Sequence, residues 1–215
     1  MTPLYHHRIR RGILAGLTAV LATPVTAAVG PTAARAATLL CTQTIVGPHT
    51  GVLNVAGGQK LCLVGATQDG AVNVAPDGAL SVSLSTITGA VTLVKGFSSL
   101  DFCGSTTVRG AISATGGKEA VVVGGSGLVG STVCLANTID GAVTLDANQA
   151  GVTLGHNGIA GAVTASANQQ GTIISGNRIG GSLTCTGNVP EPTNAGVGNT
   201  VGGGRSGQTC ASNTF

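Results

Sequence analysis

Residues 139–188 read IDGAVTLDAN, QAGVTLGHN, GIAGAVTASAN, QQGTIISGN, RIGGSLTCTGN. Gly141, Gly151, Gly161, Gly171 and Gly181 fall every ten residues. Two asparagine columns step by twenty: Asn137, Asn157 and Asn177, and then Asn148, Asn168 and Asn188. A fixed period the size of one supersecondary unit means a chain that stacks copies of itself. Strands of about five residues joined by short Gly/Asn turns leave no room for crossover helices. The chain therefore climbs by coiling, each coil about 4.8 Å above the last.

The same grammar continues upstream in degraded form. GAVNV at 70, GALSV at 78, GAVTL at 89, GAISA at 110, GAVTL at 141, GAVTA at 161 and GSLTC at 181 all open on Gly and then alternate. Val72/Val74, Val91/Leu93, Ile112/Ala114, Val143/Leu145, Val163/Ala165 and Leu183/Cys185 fall on one face, and small or hydroxylated residues fall on the other. One aliphatic face and one small polar face make a strand that packs inward on one side only. The fold expected is an all-β, single-stranded parallel β-helix or solenoid of about twenty residues per coil. About seven coils fit between 40 and 188, with a right-handed wind. Asparagines stacked one coil apart are expected to pass amide hydrogen bonds from turn to turn.

The first 36 residues read as an address. Arg8, Arg10 and Arg11 precede an apolar stretch from 13 to 29, and Ala34-Arg35-Ala36 offers the small residues of a cleavage site. The stretch is shorter than the roughly 20 residues that span a bilayer. Arg10-Arg11 is also a twin arginine, without the rest of that signal. The expected organisation is 1–36 signal peptide, 37–68 N-terminal cap and first coil, 69–188 solenoid, and 189–215 Gly/Pro-rich cap or tail. The expected location is extracellular, with cell-surface association as a variant and no membrane insertion after cleavage.

Cleavage changes the charge. The whole chain has 10 basic and 7 acidic residues, for a net +3. Four of the basic ones leave with the signal, so the remainder stands near −1 and no basic patch for nucleic acid survives. The chain is short of aromatics, with 3 Phe, 1 Tyr and no Trp. Such a composition suits a narrow solenoid interior filled by Val, Ile, Leu and Ala.

All six cysteines, Cys41, Cys62, Cys103, Cys134, Cys185 and Cys210, lie in the exported part. An even number in an oxidising compartment points to three disulfides. Of the fifteen possible connectivities, nearest neighbours are favoured: Cys41–Cys62, Cys103–Cys134 and Cys185–Cys210. No CxxC spacing or Cys/His cluster suggests a metal.

Several motifs invite chemistry and fail on context. Gly125-Ser126-Gly127-Leu128-Val129-Gly130 matches GxGxxG, but a strand-like segment follows in place of a helix. Gly202 to Gly207 matches it too, which shows how common the pattern is among 36 glycines. The calcium nonapeptide that Gly124-Gly125-Ser126-Gly127 begins has Val129 where its aspartate belongs. No cofactor is expected. Stepping by twenty from Asp146 gives Ser166 and Thr186, and from Asp140 gives Ala160 and Gly180, so no carboxylate ladder forms for acid/base work. The nearest approach to a catalytic set is Asp140 and Asp146 with His156 or Arg178. His49 and His156 leave a Ser/His/Asp triad formally open, without a GxSxG elbow.

The outward column Thr92, Ser113, Thr144, Thr164 and Thr184 is a regular array of methyl and hydroxyl groups, of the kind ice-binding solenoids display. Those show TxT rungs, and this chain offers AxT or SxT.

The export signal, GAVT-type coils with Asn turns and a Cys-containing Gly/Pro-rich tail together resemble the small secreted parallel β-helix proteins of bacteria, most of them uncharacterised. The likeness covers roughly 70–188 and implies fold, without assigning any catalytic residue. The expected function is a non-enzymatic secreted or cell-surface structural or adhesive solenoid, with an envelope or extracellular polysaccharide as the partner considered. The alternatives are a carbohydrate-active enzyme or glycan-binding β-helix, and an ice binder. The irregular stretch 94–130 and the Thr face are the places where function is expected.

Overall fold

The structure is a computed structural model and describes residues 40–125, 127–129 and 132–215. Residues 1–36, expected from the sequence to be a signal peptide, and Ser126 and Gly130 of the GxGxxG stretch lie outside the described residues. The chain winds into an all-β parallel solenoid of about eight turns spaced about 20 residues apart. That is one turn more than the seven counted between 40 and 188. The extra turn comes from the tail, where Thr200–Val201 pairs with Arg178–Ile179 and Arg205–Ser206 pairs with Leu183–Thr184.

Each turn has three walls, and one complete coil shows them. Val152–Gly155 lies in the first wall, Gly158–Ile159 in the second and Val163–Ser166 in the third. Parallel neighbours continue each wall: Val152 sits opposite Thr172, Ile159 opposite Ile179 and Val163 opposite Leu183. The first two walls form one 13-stranded sheet, because Lys60–Asp69 bends around their shared corner and pairs in both. The third is an 8-stranded sheet.

The strands of this last sheet follow the alternation of the sequence. Val72, Val91, Ile112, Val143, Val163 and Leu183 are all buried, and Thr144, Thr164 and Thr184 between the buried positions are half-buried on the outside. Inward aliphatic side chains from three walls meet in one continuous core. Phe97 and Phe102, fully buried, occupy it in the coil that precedes the one lengthened step.

Two of the three corners are built on side-chain amide ladders and the third on glycine. Between the first and second walls, Asn137 donates from Nδ2 to Asn157 Oδ1 (3.1 Å), Asn157 to Asn177 (3.1 Å) and Asn177 to Asn199 (2.9 Å). Between the third and first, Asn148 donates to Asn168 (2.8 Å), Asn168 to Asn188 (2.9 Å) and Asn188 to Gln208 Oε1 (2.8 Å). The remaining Nδ2 hydrogens go to backbone carbonyls, for example Val123 O from Asn157 and Leu145 O from Asn168. From Asn157 and Asn168 onward each amide oxygen also accepts a backbone N–H from the coil before, so both lone pairs and both donors of these buried amides are satisfied, while Asn137 and Asn148 accept one bond each. The third corner is glycine: a Cβ on Gly161 would stand 2.6 Å from the backbone nitrogen of Ala142, and Gly141 and Gly181 are equally crowded. The glycine spacing of ten thus alternates between two corners of one triangle.

The repeat breaks once. From Ile112 to its partner Val143 the step lengthens to 31 residues, and the additional chain forms the only antiparallel pair among the described residues, Gly127–Val129 with Thr132–Cys134. The disulfides are Cys41–Cys62, Cys103–Cys134 and Cys185–Cys210, and they tie the first coil, this hairpin and the last coil to their neighbours. At the C-terminal end a 3-10 helix, Gln208–Ala211, and the buried Phe215 close the core.

Candidate functional site

Outward-facing side chains are the chemistry this fold offers, and each wall presents a different set. On the third wall Thr92, Ser113, Thr144, Thr164 and Thr184 stand in one register column. Asn73 precedes the column, and Ser206 follows it with its Oγ 3.0 Å from Thr184 Oγ1. Ala90, Ala111, Ala142 and Ala162 flank it on one side. Thr115, Asp146, Ser166 and Thr186 flank it on the other. Ser166 donates to Asp146 Oδ1 at 2.5 Å. The wall is therefore a plane of methyls and hydroxyls about 4.8 Å apart along the axis.

The second wall differs in its last coils. Its outward positions carry Thr86 and Thr88, then Thr107 and Arg109, then Thr138 and Asp140. Below these they carry Gly158 and Ala160, Arg178 and Gly180, and Thr200 and Gly202. Loss of side chains leaves a trough of about 350 Å³ across four coils, from Thr138 to Gly202. Asp140 and Arg178 line it, both exposed.

Of the four residues that the sequence suggested as a catalytic set, the structure brings only Asp140 and Arg178 to one surface. Asp146 belongs to the third wall. His156, at φ 56°, turns the corner between the first and second walls with its ring against Gly176 of the next coil. His49 is in the first coil, with Nδ1 2.7 Å from Gln68 Oε1, and so lies several coils away from His156.

The first wall holds a carboxyl with a displaced pKa. Asp101 points outward from Leu100–Phe102 between Ser81 and Val122. Beside it Cys103, Val122 and Cys134 form a small buried cluster with Ala120, outside the main core. Burial without compensation pushes the Asp101 carboxyl up from 3.8 to about 6, and its Oδ1 has no hydrogen-bond partner. Asp101, Cys103 and Cys134 lie within 4.8 Å of one another, but both sulfurs are spent in the disulfide and supply no thiolate.

Sequence reasoning did not find this acid, because its burial depends on where the inserted hairpin returns. The available signals were its position two residues before Cys103 and its place in the irregular stretch. Nor did sequence reasoning find the second wall, whose strands are two residues long and read as turns.

No family model matches the chain, and no curated protein or solved structure matches it.

Proposed function

We propose that this protein is a non-catalytic extracellular scaffold that adheres through its third wall to an ordered polysaccharide of the cell envelope or matrix. The observation that carries the reading is the in-register Thr92–Thr184 column among small side chains, with Asp146 the one charge beside it. Three disulfides suit an oxidising compartment, and among the described residues no helix is long and apolar enough to cross a membrane. Export by a cleaved signal at 1–36 belongs to this reading. A flat array of hydroxyls fixed by a hydrogen-bonded framework needs no ordering when it meets a flat partner, which favours adhesion over capture of a flexible chain.

Sedimentation with insoluble envelope polysaccharide tests it. Thr144→Lys and Thr164→Lys together are expected to release the protein into the supernatant with the fold unchanged. Cleavage of the polysaccharide that is lost on substitution of Asp140 or Asp146 would overturn the non-catalytic reading. The same column spacing supports a second reading, adsorption to ice. That reading requires thermal hysteresis in the wild type and its loss in Thr164→Lys.

A further inference from the structure

The trough on the second wall is separate from the adhesive face, and one of its glycines has no structural reason to be there. Gly180 and Gly202 are dictated by packing: a Cβ would lie 2.5 Å from Ala160 O in the first case and 2.7 Å from Gly180 O in the second. Gly158 is under no such demand. A Cβ there meets nothing within 4 Å, and its φ is not left-handed. Glycine weakens a strand, and where no backbone crowds it, as at Gly158, the remaining reasons for it are a bend or close approach by a ligand. The neighbours in the column, Thr138 above and Arg178 below, show that side chains are tolerated at that position.

The rims define what could lie in the trough. Asp140 offers acceptors and Arg178 donors, and neither side chain makes a hydrogen bond or ion pair among the described residues. Thr138 and Thr200 add hydroxyls that do both. Ile139, Ile159 and Ile179 are buried, so the floor is backbone. One acid and one guanidinium of equal weight disfavour a polyanion and a polycation alike. The binding positions repeat at about 4.8 Å along the axis. In an extended β-1,4-linked glycan each sugar ring advances by nearly the same length. Its hydroxyls serve as donor or acceptor at every ring, and its flat C–H faces suit a floor without side chains.

The geometry points to a binding site for an uncharged, extended β-1,4-linked oligosaccharide lying along the second wall, one ring per coil from Thr138 to Thr200, with Asp140 and Arg178 gripping its hydroxyls. Four coils correspond to four rings. A separate wall carries this site, so it stands whether or not the third wall adheres.

Isothermal titration with cellotetraose, cellobiose and chitotetraose tests it on the wild type, Gly158→Leu, Arg178→Gln and Asp140→Asn. At least one tetramer is expected to bind, at least tenfold more tightly than cellobiose. Gly158→Leu should weaken it at least tenfold with the melting temperature retained, and each charge-removing variant should weaken it several-fold. If Gly158→Leu unfolds, the two charge variants decide. The proposal is overturned if neither tetramer binds, if dimer and tetramer bind equally, or if neither charge variant alters binding. Preference for a zwitterionic tetrapeptide such as tetraalanine would overturn it in favour of a peptide site.

Discussion

Asn157→Ala is expected to lower the unfolding free energy by about 4 kcal/mol, since it orphans several buried polar groups at about 1–3 kcal/mol each. The side chain of Asn157 accepts from both the backbone nitrogen and Nδ2 of Asn137, and donates to Val123 O and to Asn177 Oδ1. Deleting it leaves Asn137 with two unaccepted donors and removes a donor each from Val123 O and Asn177 Oδ1, in a corner where Asn157 is 2% exposed. A typical domain has only about 5–15 kcal/mol of stability to lose. Asn157→Asp keeps the size and the acceptors but loses both Nδ2 donations, and puts a carboxylate oxygen against Asn177 Oδ1. It is therefore expected to be at least as damaging near neutral pH. Thr153→Ala, on the outer side of the same coil, should change stability by less than about 0.5 kcal/mol. Denaturant unfolding of the three variants measures the contrast. Equal losses in Asn157→Ala and Thr153→Ala would refute the ladder's role.

The second large effect is a dependence of stability on pH that traces to Asp101. Its folded-state carboxyl titrates near 6 against 3.8 for the free group, because burial beside the Cys103–Cys134 disulfide disfavours the charged form. The native state therefore holds a proton in that window that the unfolded chain releases. Stability from this group is complete below about pH 4 and is lost as pH rises through 6. The loss at neutral pH is on the order of 2–3 kcal/mol, since each tenfold difference in proton affinity between the folded and unfolded chain is worth about 1.4 kcal/mol. Asp101→Asn, equal in shape and unable to ionise, should flatten the profile between pH 4 and 6. It should also leave the protein more stable than wild type at pH 7 and about equal at pH 4. Parallel melting curves at the two pH values check this; an unchanged slope in Asp101→Asn would place the pH dependence elsewhere.

The two groups also mark how far the sequence could be read. Asn157 was legible because a column at constant spacing declares itself, and Val143, Val163 and Leu183 declared the core by alternation. The ladder's last members were not, since Asn199 follows Asn177 at 22 residues and Gln208 is a different residue type. For the same reason the tail hid an eighth coil. The second wall stayed hidden because pairs such as Thr138–Ile139 and Gly158–Ile159 are too short to show a period. Asp140 and Arg178 could be named from the sequence, but the trough between them could not, because it depends on side chains missing from Gly158, Ala160, Gly180 and Gly202. Asp101 needed the return of the hairpin, a long-range event with no periodic trace.

The side-chain ladders begin only at Thr106 and Gly117, whose backbone nitrogens donate to Asn137 and Asn148, and they run from there to Phe215 and Gln208. In each ladder the backbone N–H and one Nδ2 hydrogen run to an amide oxygen on the following coil, while the other Nδ2 hydrogen goes back to a carbonyl of the coil before, so a coil's amides are complete only after its successor has formed. Folding of such a chain is a one-dimensional propagation, and its order of assembly is written in the direction of the amides. The coils before Thr106 lack these continuous amide ladders and are joined by the aliphatic core, the Cys41–Cys62 staple and separate side-chain bonds such as Ala66 N–H to Ser85 Oγ, Asn73 to Asn54 and Thr88 to Asp69. Amide hydrogen exchange should accordingly fall into two cooperative blocks, with Leu63 and Val82 exchanging well before Leu154 and Ile174. Uniform protection along the axis would show that the aliphatic core alone sets the cooperativity.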